Sequence, residues 1–496
     1  MWNDHEACYR VIETGDSRFD GRIYTGVKTT GIYCRPVCSA RTPSRRNVEF
    51  FPSAAAAQNA GYRPCLRCRP ELSPAPGNTG DIPDVVTRAL NLITDGALDE
   101  DGMPALVARV GISERQLRRL FLEYLGASPL KIVQTRRVLF AKQLLHDTKL
   151  SMAEVAMAAG FGSIRRFNAT FTTLFGRPPR SLRHETMNRR AHAPSHHDDN
   201  WIELRLGFRP PLDWDFFLTF YRARAIPGVE TITDDCYRRV IALNGGVGQI
   251  EVRPGGADYL LGAIRFDDVT ALPAIVCRLR NAFDLDADPL LINQHLASDR
   301  VLRDAIAARP GLRVAGNWDP FEQAVRAVLG QQISVTAARN LAGRLVARWG
   351  EPVAIDGEEE LRFAFPTPTR LADADIASLG MPRRRGAAVS ALARAVLKNS
   401  DFLNRGASLN EDLRRLEGLP GFGEWTANYI AMRAMREPDA FPASDIGLLR
   451  ALAQKDGRRP TPGEALARAE RWRPWRAYAA QHLWAKDPIS GRAVKA

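Results

Sequence analysis

Four cysteines near the start of the chain constrain its fold more than any other feature. Cys34 and Cys38 form a C-x3-C pair, and Cys65 and Cys68 form a C-x2-C pair. Two such pairs on either side of a loop can place four sulfur ligands around one metal ion, and zinc takes four sulfurs in a tetrahedron. The spacing alone favours a structural zinc ribbon, the usual meaning of two cysteine pairs in an intracellular chain.

The residues around the cysteines are more specific than their spacing. Segments 29–38 (TTGIYCRPVC) and 63–70 (RPCLRCRP) closely resemble the N-terminal domain of the Ada proteins. The resemblance implies that Cys34, as a zinc-bound thiolate, accepts a methyl group from a methylated DNA phosphate. It also implies one Zn²⁺ per chain, with Cys38, Cys65 and Cys68 as the other ligands. Four arginines flank the thiolates where a DNA backbone would approach: Arg35, Arg63, Arg67 and Arg69.

Length, charge and cysteine count set the broad class. The 496 residues are too many for one core and predict three or four domains. A net charge of +13 favours a polyanionic partner, here double-stranded DNA. Seven cysteines are an odd number for a disulfide framework, so we expect a reducing cytoplasm. Neither a long apolar run nor a secretory start is present, so no membrane span is expected. We also expect a monomer. Three isolated cysteines are predicted to be inert core residues: Cys8, Cys236 and Cys277.

An approximate repeat of about fifty residues follows the cysteine region. Its first copy has a 111–113 turn before a helix that begins at Glu114, and its second has a 160–163 turn before a helix that begins at Ile164. Each turn offers a glycine for the corner and a serine to cap the next helix. A helix from about Pro129 to Leu145 joins the copies, and a polar tether is predicted over 186–200.

This repeat resembles the AraC-type DNA-binding domain, with two helix-turn-helix units on one connector. Two recognition helices held in this way can enter major-groove segments about 34 Å apart. The alternative is a generic helical bundle whose arginines are simply solvated. The predicted base or phosphate contacts are Arg115, Gln116, Arg118, Arg165, Arg166 and Asn168.

The C-terminal half begins with alternating patterns that predict antiparallel strands over 237–242 and 249–253. It then becomes mainly helical and contains Leu-Pro-Gly-Phe-Gly at 419–423, the signature of a helix-hairpin-helix. Glycines at this turn let backbone amides approach a DNA phosphate without side-chain bulk. We therefore expect Gly421 and Gly423 to contact DNA.

Segments 327–332 (AVLGQQ), 419–423 and 441–445 (FPASD) resemble the AlkA-type alkyladenine DNA glycosylases, and the match spans most of residues 201–490. The resemblance implies that Asp445 is the catalytic aspartate, although aspartate would also suit the N-cap of the helix that follows. It implies an aromatic base pocket, for which ordinary core packing is the alternative: Phe220, Trp425, Tyr429 and Trp484.

Three positions refine the predicted chemistry. Trp425 occupies the slot where bifunctional relatives carry a Schiff-base lysine, so we expect base release without strand cleavage. The four-cysteine iron–sulfur motif of some relatives is missing. Gln332 stands where an apolar wedge would fill the emptied base stack, and Ser444 replaces an acidic neighbour of the aspartate. An Ada-type Pro-Cys-His-Arg nucleophile motif is also absent, so repair at O6 of guanine is not expected.

The whole pattern predicts a multidomain α+β protein. Its expected parts are a small zinc-bound α/β domain, an all-α double helix-turn-helix domain, a tether, an α+β antiparallel-sheet subdomain and an all-α helix-hairpin-helix glycosylase domain: 1–72, 80–185, 186–200, 201–312 and 313–496. The predicted function is alkylation sensing, transcription activation through the transcription machinery, and excision of 3-methyladenine-type bases. Two alternatives stay open: a regulator with a catalytically degenerate lesion-binding module, and a DNA-targeted glycosylase whose N-terminal half is only structural.

Overall fold

The computed structural model describes residues 2–76, 82–94, 96, 98, 102–183, 200–354, 359–406, 408–453 and 457–486. Most of the predicted tether, 186–200, lies outside these residues. The chain forms two compact units. The N-terminal unit comprises Met1–Pro210, Gly255–Cys277 and Leu285–Asp288, and the C-terminal unit comprises Pro211–Pro254, Arg278–Asp284 and Pro289–Ala496. No helix within the described ranges is both long and apolar enough to cross a membrane.

Helices dominate the chain. In chain order the α-helices are α1 His5–Thr14, α2 Ala54–Asn59, α3 Asp84–Thr94, α4 Gly102–Val110, α5 Glu114–Leu125, α6 Pro129–Asp147, α7 Met152–Ala158, α8 Ile164–Phe175, α9 Trp214–Arg222, α10 Leu272–Ala282, α11 Pro289–Leu296, α12 Arg300–Ala308, α13 Pro320–Leu329, α14 Val335–Trp349, α15 Pro368–Leu371, α16 Arg383–Lys398, α17 Leu409–Glu417, α18 Glu424–Arg433, α19 Ile446–Ala451, α20 Pro462–Ala469 and α21 Arg476–Lys486. The strands are β1 Tyr24–Val27, β2 Ile32–Cys34, β3 Val48–Phe51, β4 Arg63–Pro64, β5 Ile202–Gly207, β6 Glu230–Ile232, β7 Tyr237–Leu243, β8 Gly246–Pro254, β9 Tyr259–Arg265, β10 Glu351–Pro352 and β11 Phe363–Ala364.

The cysteine region folds around a small mixed sheet in the order β3-β1-β2-β4. Strand β1 pairs antiparallel with β2 and β3, whereas β4 runs parallel to β2 with Tyr33 opposite Pro64. Tyr24, Tyr33 and Tyr62 pack with α2 to form its core. Because β2 and β4 run in the same direction, the two segments that carry the cysteine pairs leave the sheet at the same edge.

The helical repeat has the predicted form. Ser113 and Ser163 cap α5 and α8, and each hydroxyl accepts a hydrogen bond of 3.2 Å from the backbone N–H three residues on. Both helices end at glycines in the left-handed region, Gly126 and Gly176, where a side chain would be strained. The connector α6 extends to Asp147, two residues beyond the predicted end.

The C-terminal unit confirms the predicted strands and hairpin. Strands β6, β7 and β8 form consecutive antiparallel pairs, with Tyr237 opposite Val252. The helices that follow surround α13, which is buried along most of its length. Helices α17 and α18 are joined by the Leu-Pro-Gly-Phe-Gly turn, and the short helix α19 begins directly after Asp445.

Candidate functional sites

The four cysteines of the two pairs come together at one edge of the small sheet. Cys34 ends β2, and the backbone N–H of Cys65 donates to the carbonyl of Tyr33, which places the second pair beside the first. The sulfur atoms of Cys34, Cys38, Cys65 and Cys68 all lie within 4.8 Å of one another. A tetrahedral Zn²⁺ with bonds of about 2.3 Å needs sulfurs roughly 3.8 Å apart. The cluster therefore fits zinc.

The surroundings of the sulfurs suit thiolates balanced by a cation. Backbone N–H groups of Arg35 and Arg67 donate to the sulfurs of Cys68 and Cys65, each over 3.3 Å. The sulfurs of Cys38 and Cys65 raise the pKa of Cys34 well above that of a free thiol, although that of Cys68 lowers it. Because such crowding opposes full ionisation, four thiolates require a bound positive charge.

The two pairs differ in their access to solvent. Cys65 and Cys68 are buried, whereas Cys34 and Cys38 are partly exposed. Cys34 and Cys38 are therefore the two more accessible residues of the cluster. The difference is compatible with Cys34 as the acceptor but does not separate it from Cys38.

Two of the flanking arginines do not lie open to a phosphate. Arg35 is 5% exposed, and its Nε donates to Asp20 Oδ1 over 2.9 Å. Arg69 is 9% exposed and forms a bidentate pair with Asp147, with both distances 2.9 Å. The prediction that these two arginines face DNA is therefore wrong, because buried carboxylates distant in sequence pair with them. Arg67 is exposed, as that prediction requires.

The Asp147 pair belongs to a larger buried charge cluster, consisting of Arg69, Glu71, Lys142 and Asp147. Lys142 is fully buried on α6 and forms an ion pair with Glu71. Burial raises the pKa of Glu71, but Lys142 and Arg69 lower it more, to about 2. The cluster thus holds the segment after Cys68 against the helix that connects the two helix-turn-helix units.

The predicted DNA contacts of the repeat are all exposed. Within α5 and α8, Leu117 and Phe167 are buried with 0% exposure and fix which face turns inward. The opposite face carries the six exposed polar candidates: Arg115, Gln116, Arg118, Arg165, Arg166 and Asn168. Their contact with DNA stays a prediction.

Asp445 is held by four hydrogen bonds. Its Oδ1 caps α19 by accepting from the backbone N–H groups of Gly447 and Leu448, at 2.9 and 3.0 Å. The indole N–H of Trp484 also donates to Oδ1, and that of Trp425 donates to Oδ2, both over 2.8 Å. The carboxylate is therefore fixed in place and only partly exposed, with a single donor on Oδ2 within the described chain.

The predicted pocket aromatics surround this carboxylate. Trp425 and Tyr429 stack with their ring centroids 5.0 Å apart and their planes 13° from parallel, and Tyr429 meets Trp484 edge-on at 6.2 Å. Phe220 is 9% exposed and shares with Tyr429 and Trp484 a contact to the guanidinium of Arg433. The four rings are thus linked through their contacts with one another and with Arg433, and Trp425, Tyr429 and Trp484 are partly exposed.

The hairpin and the loop that precedes α14 are connected. Gln331 Nε2 donates to the carbonyl of Gly421 over 3.0 Å and to the hydroxyl of Thr426 over 2.9 Å. Gln332 is exposed and has a φ of 57°, in the left-handed region. Gly423 is also exposed. The exposed backbone of the hairpin and the Gln332 side chain are therefore both available to a DNA strand.

Known protein families match four successive segments of the chain. Family models match the metal binding domain of Ada over residues 7–71, a helix-turn-helix domain over 106–185, the AlkA N-terminal domain over 203–319, and the HhH-GPD superfamily base excision DNA repair protein over 325–477. The probable bifunctional transcriptional activator/DNA repair enzyme AlkA of Mycobacterium tuberculosis is 42% identical over 485 residues, which cover 98% of this chain and 97% of that protein. The chain belongs to this bifunctional AlkA family.

Two further relatives match only part of the chain. DNA-3-methyladenine glycosylase 2 of Escherichia coli is 36% identical over 283 residues, 56% of this chain and 95% of that protein. The solved structure of a 3-methyladenine DNA glycosylase from Archaeoglobus fulgidus shares the fold with a TM-score of 0.52 at 22% identity, over 57% of this chain and 97% of that one. In this AlkA-family chain, the glycosylase fold thus occupies the C-terminal half.

Sequence reasoning missed several residues at the sites of this AlkA-family chain. The sequence predicts neither the two indole hydrogen bonds to Asp445 nor the contacts of Arg224 and buried Arg433 with the rings. Lys142 was read only as part of a connector helix. A lysine in the middle of an otherwise buried helix face is a detectable signal, but its partner Glu71 is 71 positions away.

Proposed function

We propose that the chain combines three activities: a methyl acceptor at Cys34, a promoter-binding transcription activator, and a monofunctional glycosylase that releases alkylated purines. The observation that carries the glycosylase proposal is the fixed carboxylate of Asp445 beside a partly open group of aromatic rings. Such a site suits a base that has been rotated out of the duplex.

The proposed excision uses this arrangement directly. The rings stack on the electron-poor alkylated base, and the glycosidic bond breaks with its electron pair leaving on the base. The sugar then carries positive charge, which the Asp445 carboxylate stabilises through its less occupied Oδ2. Water supplies the hydroxyl group. Because Trp425 occupies the position of a Schiff-base lysine, the strand stays uncut.

The proposed methyl transfer takes place at the cysteine cluster. Zn²⁺, when bound by Cys34, Cys38, Cys65 and Cys68, keeps the sulfurs ionised at neutral pH. The Cys34 sulfur forms a bond to the methyl carbon of a phosphotriester, and the C–O electron pair returns to the phosphate. The product is a thioether and an ordinary phosphodiester, so each chain reacts once.

The transfer also lowers the negative charge of the cysteine cluster. One thiolate becomes neutral, which removes a unit of repulsion toward the phosphates. At about 6–10 Å and an effective dielectric near 20, this is worth about 2 kcal/mol, or more than tenfold in affinity. Methylation would therefore strengthen promoter binding through α5 and α8.

The test of excision compares wild type with Asp445→Asn on duplex DNA that contains alkylated purines. Asparagine still caps α19, so folding should be preserved while release of free 3-methyladenine falls by about a hundredfold or more. An inactive wild type would favour the regulator with a degenerate lesion-binding module.

The test of methyl transfer uses mass spectrometry of the Cys34 peptide after exposure to DNA with methylphosphotriesters. One added methyl group, about 14 Da, is expected on Cys34. Modification of Cys38 instead would overturn the residue assignment. An unmodified cluster that still holds zinc would favour a purely structural N-terminal half.

A further inference from the structure

An arginine from the AlkA-type part of the chain is buried among residues of the cysteine domain. Arg209 follows β5, lies in the segment matched by the AlkA N-terminal domain, and is 2% exposed. Its Nε and Nη2 donate to the carbonyl of Asp20 over 3.2 and 2.7 Å, and Nη2 also donates to the carbonyl of Ala75 over 2.6 Å. Its Nη1 donates to the carbonyl of Asp286 over 3.0 Å. Arg209 thus holds together three segments of the N-terminal unit.

The Arg209 side chain is charged in this position. Burial, followed by the nearby charge of Arg22, lowers the pKa of Arg209 to about 10. The carboxylates of Asp288, Asp20 and Asp286 oppose this shift. The guanidinium therefore stays ionised at neutral pH, and a hydrogen bond from an ionised donor is stronger than one between neutral groups. Removing it would deprive the buried carbonyl of Asp20 of both these donors.

Asp20 connects Arg209 to the cysteine cluster. Its carboxylate pairs with the buried guanidinium of Arg35, with 2.9 Å between Oδ1 and Nε. Arg35 directly follows Cys34 in the chain. The backbone N–H of Arg35 donates to the sulfur of Cys68 over 3.3 Å, and its Nη1 donates to the carbonyl of Cys68 over 3.1 Å. A continuous series of contacts therefore joins Arg209 to two of the four cysteines.

Two glycines permit the close approach on which these contacts depend. Gly21 has a φ of 80°, and an added Cβ would lie 2.0 Å from the carbonyl oxygen of Pro74 and 3.1 Å from Nη2 of Arg209. An added Cβ at Gly207 would lie 2.1 Å from the carbonyl oxygen of Leu72. Since neither glycine could carry a side chain without displacing backbone, β5 can lie directly against the segment that leaves the cysteine cluster.

We propose that Arg209 is a positioning residue for methyl transfer. Through Asp20 and Arg35 it holds Cys34 in the geometry that the reaction requires. The proposal rests on the proposed methyl acceptor function and adds to it a residue from the AlkA-type part of the chain. Groups that fix metal ligands in place affect metal binding and reactivity without touching the metal. A small displacement of a reacting atom is sufficient to slow a transfer strongly.

The experiment follows a single turnover of methyl transfer from duplex DNA with one methylphosphotriester to the zinc-loaded full chain. Mass spectrometry of the Cys34 peptide gives the amplitude and the rate constant at each DNA concentration. The amplitude reports the fraction of competent chains, whereas the rate constant at saturating DNA reports the geometry of the chains that react. A residue that only stabilises the fold would change the amplitude alone.

Arg209→Met should lower the saturating rate constant by about tenfold, because the series of contacts to Cys34 is interrupted. The half-saturating DNA concentration should not change, since Arg209 is buried. Arg209→Lys keeps the charge and a donor and should recover part of the rate. Arg209→Gln loses the charge, should also slow transfer, and provides the test if Arg209→Met does not accumulate. Arg10→Met removes an exposed arginine from the same unit and should leave the saturating rate constant unchanged.

Zinc release gives a second readout that does not depend on methyl transfer. In an excess of a chromogenic zinc chelator, Arg209→Met should lose zinc about tenfold faster than wild type, because the contact from Arg35 to Cys68 is loosened. Arg10→Met should lose zinc at the wild-type rate.

Two outcomes overturn the inference while leaving the proposed methyl acceptor intact. One is an Arg209→Met variant with a reduced amplitude but with wild-type rate constants for methyl transfer and zinc release. The other is a change confined to the half-saturating DNA concentration, which would indicate a contact with DNA. A wild type that accepts no methyl group would instead contradict the proposed function, and zinc release would then decide whether Arg209 positions the cluster.

Discussion

Asp445 combines an observed structural role, the N-cap of α19, with the catalytic role proposed for it. As the N-cap of α19 it accepts two backbone N–H groups, so its carboxylate is ordered before any substrate binds. Two indole N–H groups then fix its rotation. The same contacts that stabilise the helix therefore hold the carboxylate in the orientation that the proposed excision requires.

The indole contacts lead to a prediction at this scale. Trp484→Phe keeps an aromatic ring but removes the donor to Asp445, and we expect excision of 3-methyladenine to slow about tenfold. Single-turnover kinetics measure the effect. The control is Trp349→Phe, the same substitution at a tryptophan of α14 that does not donate to Asp445. Rates within twofold of wild type for Trp484→Phe would show that the hydrogen bond does not contribute.

Among single elements, the hairpin between α17 and α18 contains two glycines with different structural requirements. Gly421 has a φ of 83°, and an added Cβ would lie 3.0 Å from the Cβ of Ala388. Gly423 has an ordinary φ of −103°, and an added Cβ would meet no atom within 4 Å. The first glycine is therefore required by the fold, whereas the fold leaves open space beside the second.

This contrast predicts different effects of the same substitution. Gly421→Ala should lower the free energy of unfolding by about 1–2 kcal/mol, because alanine is strained in the left-handed region. Gly423→Ala should leave stability unchanged but weaken duplex binding, since its methyl group stands where a phosphate is expected. Urea unfolding and fluorescence anisotropy give the two quantities. Equal DNA affinity of Gly423→Ala and wild type would contradict the predicted phosphate contact.

The connector α6 gives a second prediction for a single element. Lys142→Met removes one of the two cations that pair with the buried carboxylate of Glu71. Of the residues that the structure describes, only Arg69 then balances its negative charge. Breaking a buried ion pair in this way should cost about 3–5 kcal/mol in unfolding free energy. Lys131→Met, on an exposed position of the same helix, should change stability by less than about 0.5 kcal/mol.

Thermal or urea unfolding of zinc-loaded protein measures both lysine variants. A double variant, Lys142→Met with Glu71→Gln, should recover part of the lost stability because it removes the uncompensated carboxylate. If the single and double variants were equally destabilised, the two residues would not be coupled.

At the scale of the whole molecule, both compact units bury ionised groups in pairs. The N-terminal unit contains the cluster at Glu71, and the C-terminal unit contains a second one in which Arg239 and Arg326 pair with Glu230 and Glu322. Burial raises the pKa of Glu322, but Arg239 and Arg326 lower it more, to about 2. Such carboxylates stabilise the fold above the pKa of the unfolded chain and lose that contribution as the pH falls.

His482 should dominate the response of the C-terminal unit to mild acid. Burial lowers the pKa of His482 to about 4, and the residue is 1% exposed. Below pH 6.5 His482 is protonated in the unfolded chain but stays neutral in the folded chain until about pH 4. The free energy of unfolding therefore falls as the pH decreases. The loss should reach about 3 kcal/mol near pH 4.

Urea unfolding between pH 7.5 and 4, followed for the transition of the C-terminal unit, measures how the free energy of unfolding depends on pH. His482→Gln should flatten it, although the substitution itself lowers stability at neutral pH. His295→Gln removes an exposed imidazole from the same unit and serves as the control. Identical slopes for His482→Gln and wild type would contradict the assignment to this residue.

The sequence by itself determined many of the local elements and singled out the candidate site residues. Local spacing was sufficient for the cysteine pairs, for the serine caps of α5 and α8, and for the Leu-Pro-Gly-Phe-Gly turn, because each depends on interactions within a few residues. Family resemblance predicted Asp445 and four aromatic residues as site residues, and in the structure Trp425 and Trp484 donate to Asp445. These predictions depend only on residue type and spacing, and both can be read from the sequence without knowledge of the tertiary structure.

Only the tertiary structure decided which charges are compensated. Arg69 pairs with Asp147, 78 positions away, and Arg433 meets rings from α9, α18 and α21, so no local pattern could distinguish the buried arginines from those that face solvent. An ionised side chain is stable in the interior only where its partners are brought to it, and that depends on the path of the whole chain. The same limit explains why Arg35 was expected at the surface and is instead paired with Asp20.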